Sequence, residues 1–224
     1  KRVDTAFFGS TTTNGPDGLE SIASVTDTWA ASTEYSLGDR IFADGKLYQC
    51  TTAGTSGETE PVTWSTATVE DGTAVWTFLM HAQANAVDAG AAWADMDPFN
   101  EAIYAAEGLG ETLGVFCANP ADALALAVLK ESTGSNRDLL QPDPTQPTRR
   151  IPAGVPLVVS SYVPEGVIWG IPRSSVYTIM REDTSLAIDK SRYFEKDSIG
   201  IRATMRMVFG FPNPGAIQRI ALSS

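Results

Sequence analysis

Few side chains in this sequence have the types and spacing that catalysis requires. His81 is the only histidine, and no cysteine or acidic residue stands at metal-ligand spacing from it. A Ser-His-Asp triad would have to use His81, and the sequence shows no nucleophile elbow. The carboxylates of Glu182 and Asp183 could serve glycoside hydrolysis, but solvated or intersubunit charges are the simpler interpretation. We therefore predict that the protein is not an enzyme and holds no metal or other cofactor.

Aromatic side chains between residues 29 and 78 suggest a second chemistry, the stacking of sugar rings. As core residues, these rings fill a small module without a disulfide, and small domains need large side chains. As a sugar platform, one or two rings would lie flat on the surface. We favour the core for most of them and expect Trp64 to be exposed, because residues 61–63 place it in a loop. The candidate sugar-facing residues are Trp64, Trp29 and Tyr48.

Charge and cysteine content limit the partners. The chain has 16 Lys and Arg against 27 Asp and Glu, a net charge of −11. Phosphate binding needs clustered basic residues, so this surface is not built to grip nucleic acid, although a negative wall can enclose DNA. No apolar run approaches about 18 residues, so we expect no membrane partner. Cys50 and Cys117 lie far apart and are expected to be free thiols, as in a cytosolic assembly.

The first third of the chain predicts a short helix and a β-rich module. Residues 1–8 have helical spacing and are followed by Gly9, which ends the helix. From about Asp27 the sequence changes to short aromatic or β-branched runs. Asp44-Gly45 and Asp71-Gly72 separate such runs and are strong β-hairpin signals. We therefore predict a small antiparallel module of about fifty residues.

The middle of the chain predicts mixed helices and strands. Asp97-Pro98 and Asn119-Pro120 each provide an N-cap followed by a proline, which opens a helix. The expected elements are a helix over Phe99–Glu107, a buried strand at Leu113–Ala118, a second helix that stops near Gly134, and strands at Val155–Ser160 and Gly166–Ile171.

A long β-hairpin is the most informative feature near the C-terminus. Every odd residue from Ile199 to Phe211 is apolar, so we expect one strand with a buried face and a largely polar face. Tyr177–Asp189 is the second extended candidate, and residues 189–197 form a charged tip. Such an arm is suited to reaching neighbouring subunits. The candidate subunit contacts are Arg192, Glu195, Lys196, Arg202 and Arg206, with plain solvation as the alternative for the last two.

At these residues the sequence resembles a known family, the tailed-phage major capsid proteins of the Hong Kong 97 type. The similar run joins acidic-basic pairs at 181–183 to a strand containing Ile201-Arg202-Ala203-Thr204-Met205-Arg206, and a short strand follows Asn213-Pro214. Residues 4–9 and 15–19 resemble the end of that family's spine helix and the loop after it. Residues 116–120 resemble a strand-to-helix step in its axial domain. The resemblance covers residues 1–27 and 82–224.

The resemblance implies an α+β capsid fold, with an axial domain, a long peripheral β-hairpin and a small all-β inserted domain. It also implies a structural function, in which hexamers and pentamers tile an icosahedral shell around non-specifically held DNA. The location would be the virion capsid of a phage or prophage, assembled in the bacterial cytoplasm. The family's N-terminal arm and extended loop would precede Lys1, so we expect the 224 residues alone to form a monomer or small oligomer. The implied divisions are 1–27, the end of the spine helix and its loop in the peripheral domain; 28–81, the insert; 82–175, the axial domain; 176–214, the peripheral hairpin; and 215–224, the return strand to the axial domain.

The segment 28–81 lies outside the common fold and resembles small carbohydrate-binding-like modules. Its pattern runs from Trp29 through Gly38-Asp39, Tyr48 and Trp64 to Trp76. A glycan is therefore a candidate partner of this insert, with the core role of its rings as the favoured interpretation. Two alternatives stay open: a secreted carbohydrate-binding protein or glycosidase fragment, and a bacterial shell protein of the same fold that encloses protein cargo.

Overall fold

The computed structural model describes residues 2–10, 16–132, 134–140, 142–143, 146–189 and 199–223. The expected mixture of helices and strands is present. Within these ranges the α-helices are α1 (Arg2–Phe8), α2 (Asp97–Gly108) and α3 (Pro120–Val128). The first of them ends before Gly9, as the sequence predicts.

The predicted β module (residues 28–81) is built on a four-stranded antiparallel sheet. Its strands pair in the order β2-β3-β6-β5, and a separate two-stranded pair joins β1 to β4. The strands are β1 (Glu34–Tyr35), β2 (Arg40–Ala43), β3 (Lys46–Thr52), β4 (Gly54–Thr55), β5 (Thr68–Asp71) and β6 (Ala74–His81).

Both predicted hairpin turns are confirmed. Asp44 and Gly45 have φ values of 49° and 66°, the positive pair that a two-residue turn between antiparallel strands requires. Gly72 also has a positive φ of 63°, and a Cβ there would lie 2.4 Å from the Thr55 carbonyl oxygen. The chain therefore needs glycine at both positions.

The module's core lies on one face of its sheet. Alternate residues of β3 and β6 point to that face, which buries Tyr48 and Trp76 completely. Trp29, Tyr35 and Phe78 pack against this core from its rim. The prediction that most rings of the module are core is therefore confirmed. The buried members are Ile41, Ala43, Tyr48, Cys50, Trp64, Val69, Ala74 and Trp76.

A mixed seven-stranded sheet forms the body of the protein. The strand order is β7-β15-β12-β8-β11-β10-β9, so the last strand of the chain inserts beside the first strand after the module. The strands are β7 (Asn85–Asp88), β8 (Leu113–Ala118), β9 (Pro142–Asp143), β10 (Gln146–Arg150), β11 (Leu157–Val159), β12 (Val167–Pro172) and β15 (Gln218–Ala221).

Both faces of this sheet are covered. Ile168 on β12 faces a cluster that includes Phe99 of α2 and Leu126 of α3. The next residue, Trp169, faces the opposite cluster with Phe8 of α1 and Leu19. Every residue of β12 is consequently buried. This explains why β12 reads as a continuous apolar run rather than an alternating one.

Several predicted boundaries are wrong by a few residues. Met96, not Asp97, is the N-cap of α2, and the Asp95 carboxylate accepts the Asp97 N–H at 3.0 Å in its place. The second helix ends at Val128 and does not approach Gly134, because Leu129 leaves the helical conformation. By contrast, the Asn119 cap is confirmed, since its side chain accepts the Ala121 N–H at 3.0 Å.

The predicted long hairpin is present as β13 (Tyr177–Asp189) and β14 (Gly200–Gly210). At about 3.3 Å per residue, the eleven residues of β14 span roughly 36 Å. The pairing shifts on either side of Glu182, where β13 carries extra residues. The charged tip, with Arg192, Glu195 and Lys196, lies outside the described residues.

Candidate subunit-contact surface on the long hairpin

One face of the hairpin carries polar side chains that contact each other within the chain and, near the base, the exposed apolar pair Ile179 and Val208. Arg206 Nε lies 3.3 Å from Glu182 Oε2, and both side chains are more than half exposed. Next along the face, the hydroxyls of Ser185 and Thr204 are 2.7 Å apart. Arg202 follows on the same face and is exposed. The structure therefore brings the two predicted arginines to one face, and it gives Arg206 a partner in its own chain.

The opposite face of the hairpin is apolar and exposed. Ile201 is paired with Ile188, and their side chains are 71% and 65% accessible to solvent. The expectation that this face is buried is therefore wrong for the chain by itself, because the hairpin projects beyond the body's core. The exposed apolar side chains of this face are Met180, Leu186, Ile188, Ile201 and Met205.

The base of the hairpin packs against the body of the protein. Phe209 is buried, and its ring centroid lies 5.1 Å from that of Phe7 in α1. Phe211 is also near Phe7, with a centroid distance of 6.4 Å. Farther out, a groove of about 1200 Å³ separates Val3 and Ala6 of α1 from the strands. This aromatic anchor was not predicted, although Phe7-Phe8 and the alternate Phe209 and Phe211 carry its signal.

The candidate sugar-facing rings of the β module do not form a platform. The prediction that Trp64 is exposed is wrong: 5% of it is accessible, because the ring packs on Tyr48 at 4.8 Å between centroids. Its indole N–H donates to Glu60 Oε1 at 2.9 Å. Tyr48 is fully buried and donates to the Ser65 carbonyl oxygen at 2.8 Å. Trp29 is half-buried.

A buried carboxylate organises the module's aromatic core. Asp71 Oδ2 accepts the indole N–H groups of Trp29, at 2.8 Å, and Trp76, at 3.2 Å. Its Oδ1 accepts the backbone N–H of Gly57 at 2.8 Å. A charged group that is buried needs such a set of donors. Sequence reasoning took Asp71 for a turn residue and missed this role.

The body contains a second carboxylate of this kind. Asp122 in α3 accepts the Trp93 indole N–H at 2.9 Å and the Gly166 N–H at 3.0 Å. It thereby ties α3 to the turn before β12. Its place in the first turn of α3 also suits a carboxylate, because the helix dipole is positive there. The two carboxylates are structural, since their acceptor atoms are occupied by donors of the chain.

The thiols and the buried tyrosine are held in their neutral forms. Burial raises the pKa of Cys117 to about 12. Burial, and then the charge of Asp44, raises the pKa of Tyr48 to about 12. Burial also raises the pKa of Cys50. These groups are therefore poor nucleophiles, and both cysteines are free, as predicted.

Within the described part of the chain, no group of three or more His, Cys, Asp or Glu side chains is placed to hold a metal ion. Nor does any helix described there have the length and apolar character to cross a membrane.

Comparison with known proteins identifies a family. Residues 70–221 match the model of the phage capsid family. No curated protein matches the chain. Among solved structures, the capsid of an empty GTA particle has a TM-score of 0.50 at 19% identity, over 64% of this chain and 50% of that one. A Gordonia phage Cozz structure has a TM-score of 0.48 at 18% identity, over 63% and 50% of the two chains.

A Mycobacterium phage Patience structure is also similar, with a TM-score of 0.43 at 14% identity, over 79% of this chain and 55% of that one. The chain thus spans about half the length of these solved structures. The expected capsid fold is confirmed by the family match and by the likeness to the GTA capsid.

Proposed function

The chain belongs to the phage capsid family, and from this we propose that the complete protein assembles in many copies into a closed icosahedral shell around DNA. The chain is accordingly a structural capsid protein, and the family match over residues 70–221 is the observation that carries the proposal. Such shells are stabilised by repeated contacts between identical surfaces rather than by chemistry. The proposed location is the virion capsid, assembled in the cytoplasm of a bacterial host.

The apolar face of the hairpin supports assembly. Contiguous exposed apolar patches on soluble proteins commonly mark surfaces that become covered. Ile188 and Ile201 are more than half exposed on a projecting ribbon, and the other face of the ribbon carries Arg202, Thr204 and Arg206 at the same distance from the body. We expect this face to be buried in the complete, assembled protein.

Charge distribution supports contacts between copies. Residues 176–214 contain six basic and five acidic residues, whereas the chain as a whole has 16 basic and 27 acidic residues. A nearly neutral arm can approach the acidic surface of another copy without the repulsion that two acidic bodies experience. We propose that Arg202 pairs with a carboxylate of a neighbouring copy, since Arg206 already pairs with Glu182.

Two variants of the complete protein test assembly. Ile201→Asp should abolish closed particles in electron micrographs, because a charge on the apolar face opposes its burial. Arg202→Gln should lower particle yield severalfold and make the yield less sensitive to salt, with Arg40→Gln in the module as the matched control. Normal particle yield from Ile201→Asp would contradict the assembly role of this face.

Particle content separates the related alternatives. A virion shell contains DNA that nuclease digests only after the particles are opened, whereas a cargo-enclosing shell contains protein. A secreted sugar-binding protein would instead be found as soluble material in the medium. Burial of Trp64 and Tyr48 removes two of the three candidate sugar-facing rings and leaves Trp29, which is half-buried.

We propose the domain organisation expected from the sequence, with the β module inserted between a peripheral and an axial domain. The Ala84 N–H donates to the Ile22 carbonyl oxygen at 2.8 Å, so the chain leaves and re-enters the body at adjacent points. The family match begins at residue 70, inside the module's sheet, and therefore does not define the end of the module. The proposed boundaries are based instead on the hydrogen bond between Ala84 and Ile22.

Removal of residues 28–80 tests this organisation. With a short linker between residues 27 and 81, the remaining chain should keep a single cooperative thermal transition, because its two core clusters contain no module residue. A non-cooperative melt would contradict the proposed boundary.

A further inference from the structure

The β module is fastened to the body by one turn and two linkers. The Gly45 carbonyl oxygen, in the turn between β2 and β3, accepts the N–H groups of Ala82 at 2.9 Å and Gln83 at 3.1 Å. The Gln83 side chain in turn accepts the Val25 N–H at 3.1 Å. These bonds cross between the module and the segments that connect it, so they form its joint.

His81 lies in the middle of this joint. A Cβ built on Gly215 would be 2.6 Å from Cβ and Cγ of His81, so the histidine packs directly on the buried backbone of the body. Phe78 contacts the imidazole edge-on, with ring centroids 5.2 Å apart. On its open side His81 lines a cleft of about 470 Å³ between the module and α2. The imidazole therefore has Gly215 and Phe78 on one side and the open cleft on the other.

Charges around the imidazole come from the neighbouring hairpin turn. Lys46 is the direct cross-strand partner of His81. Asp44 forms an ion pair with Lys46 and lines the same cleft. The described residues that line the cleft from the linker, β7, α2 and the segment at Gly215 carry no charge: Gln83, Ala84, Asn85, Ala86, Ala105, Leu109 and Gly215. Burial, and then the charge of Lys46, lowers the pKa of His81.

We propose that His81 makes this joint sensitive to pH, so that one proton on its imidazole loosens the β module from the body. The neutral ring fits against Gly215 and Phe78, whereas the imidazolium would lie desolvated beside the Lys46 ammonium. The pKa of His81 is lowered in the folded protein. The packing of the neutral ring on Gly215 is therefore complete above pH 6.5, the ordinary pKa of histidine, and weakens as the pH falls through the lowered pKa. This joint lies within the single chain, so its response to pH does not depend on shell assembly.

The single histidine makes the test direct. In proton NMR of the chain, the His81 ring resonance should titrate with a midpoint below 6.5. Hydrogen-exchange protection at Ala82 and Gln83, corrected for the intrinsic effect of pH, should be at least fivefold lower at pH 5 than at pH 7.5. His81→Gln should remove this difference. Lys46→Gln should raise the midpoint, and Lys130→Gln, remote in the body, should leave it unchanged.

Three results would overturn the proposal: a midpoint at or above 6.5, the same loss of protection in His81→Gln, or a midpoint that Lys46→Gln does not move. If His81→Gln fails to fold, the Lys46→Gln titration decides by itself, because glutamine keeps most of the Lys46 stem and the atoms nearest to Gly215 belong to His81, not to Lys46.

Discussion

The β module and the long hairpin are built from the same kind of antiparallel strand, but the apolar face is buried in the module and exposed in the hairpin. Both alternate apolar and polar residues, as Tyr48 and Cys50 do on β3 and Ile201 and Met205 do on β14. In the module the chain returns over the apolar face with Trp29, Tyr35 and Trp64. In the described part of the hairpin, α1 packs only on the base, where Phe7 contacts Phe209.

The difference shows that alternation defines which face of a strand is apolar but not what covers it. A two-stranded ribbon is marginal in water unless something packs on it. The module completes its core within about fifty residues, whereas the described part of the hairpin leaves most of its apolar face exposed. The first region should therefore respond to mutation in stability, and the second in assembly.

Truncation of a large side chain in each region should give the sharpest contrast. Trp76→Ala removes a fully buried ring and should lower the free energy of unfolding by about 3–5 kcal/mol. Ile201→Ala, on the exposed face of β14, should change it by less than about 0.5 kcal/mol. Urea unfolding of the 224-residue chain measures both values. Equal losses would mean that the hairpin face is covered within the single chain.

The buried carboxylate of the module should give the next largest effect. Asp71→Asn replaces one acceptor oxygen by a donor, so an indole N–H or the Gly57 N–H loses its partner. The expected destabilisation is about 1–3 kcal/mol for the unpaired buried group. Glu58→Gln, an exposed change in the same module, is the control and should be neutral. No difference between the two variants would contradict the organising role of Asp71.

Alkaline pH should lower the stability of the β module through Tyr48 and should have no such effect through the exposed tyrosine of the hairpin. The pKa of Tyr48 is raised from 10.0 to about 12 in the folded chain, because the fold buries the neutral phenol. The stabilisation that the buried neutral Tyr48 gives the fold is therefore complete below pH 10 and is lost as the pH rises towards 12. Tyr48→Phe should flatten this loss in urea midpoints measured from pH 8 to 11. Tyr177→Phe, whose ring is exposed on β13, should not. Identical pH profiles for the two variants would remove Tyr48 as the cause.

The ion pair on the polar face of the hairpin should have the smallest effect. Glu182→Gln should cost about 0.2–1 kcal/mol, because both partners are exposed and screened by solvent. The difference from the parent chain should vanish in 1 M salt, where the screening length is about 3 Å. A larger loss that persists in salt would mean that Glu182 has a buried partner.

The sequence by itself determined much of the fold. Glycines that follow Asp44 and Asp71 fixed both hairpin turns, because few other residues adopt a positive φ. Asn119-Pro120 fixed the start of α3, and the alternation after Ile199 fixed β14. These signals are local: each depends on the conformations open to one or two residues, or on the two-residue repeat of a strand.

Only the tertiary structure decided what those elements meet. Trp64 is buried although it follows a loop, because the loop folds back on Tyr48. Asp71 and Asp122 became hydrogen-bond centres because indole N–H groups distant in sequence converge on them. Beyond Phe209, most of the apolar face of β14 stayed exposed because no described segment of the chain buries it. Burial depends on contacts between residues far apart in the chain, and the local pattern of a strand carries no information about those partners.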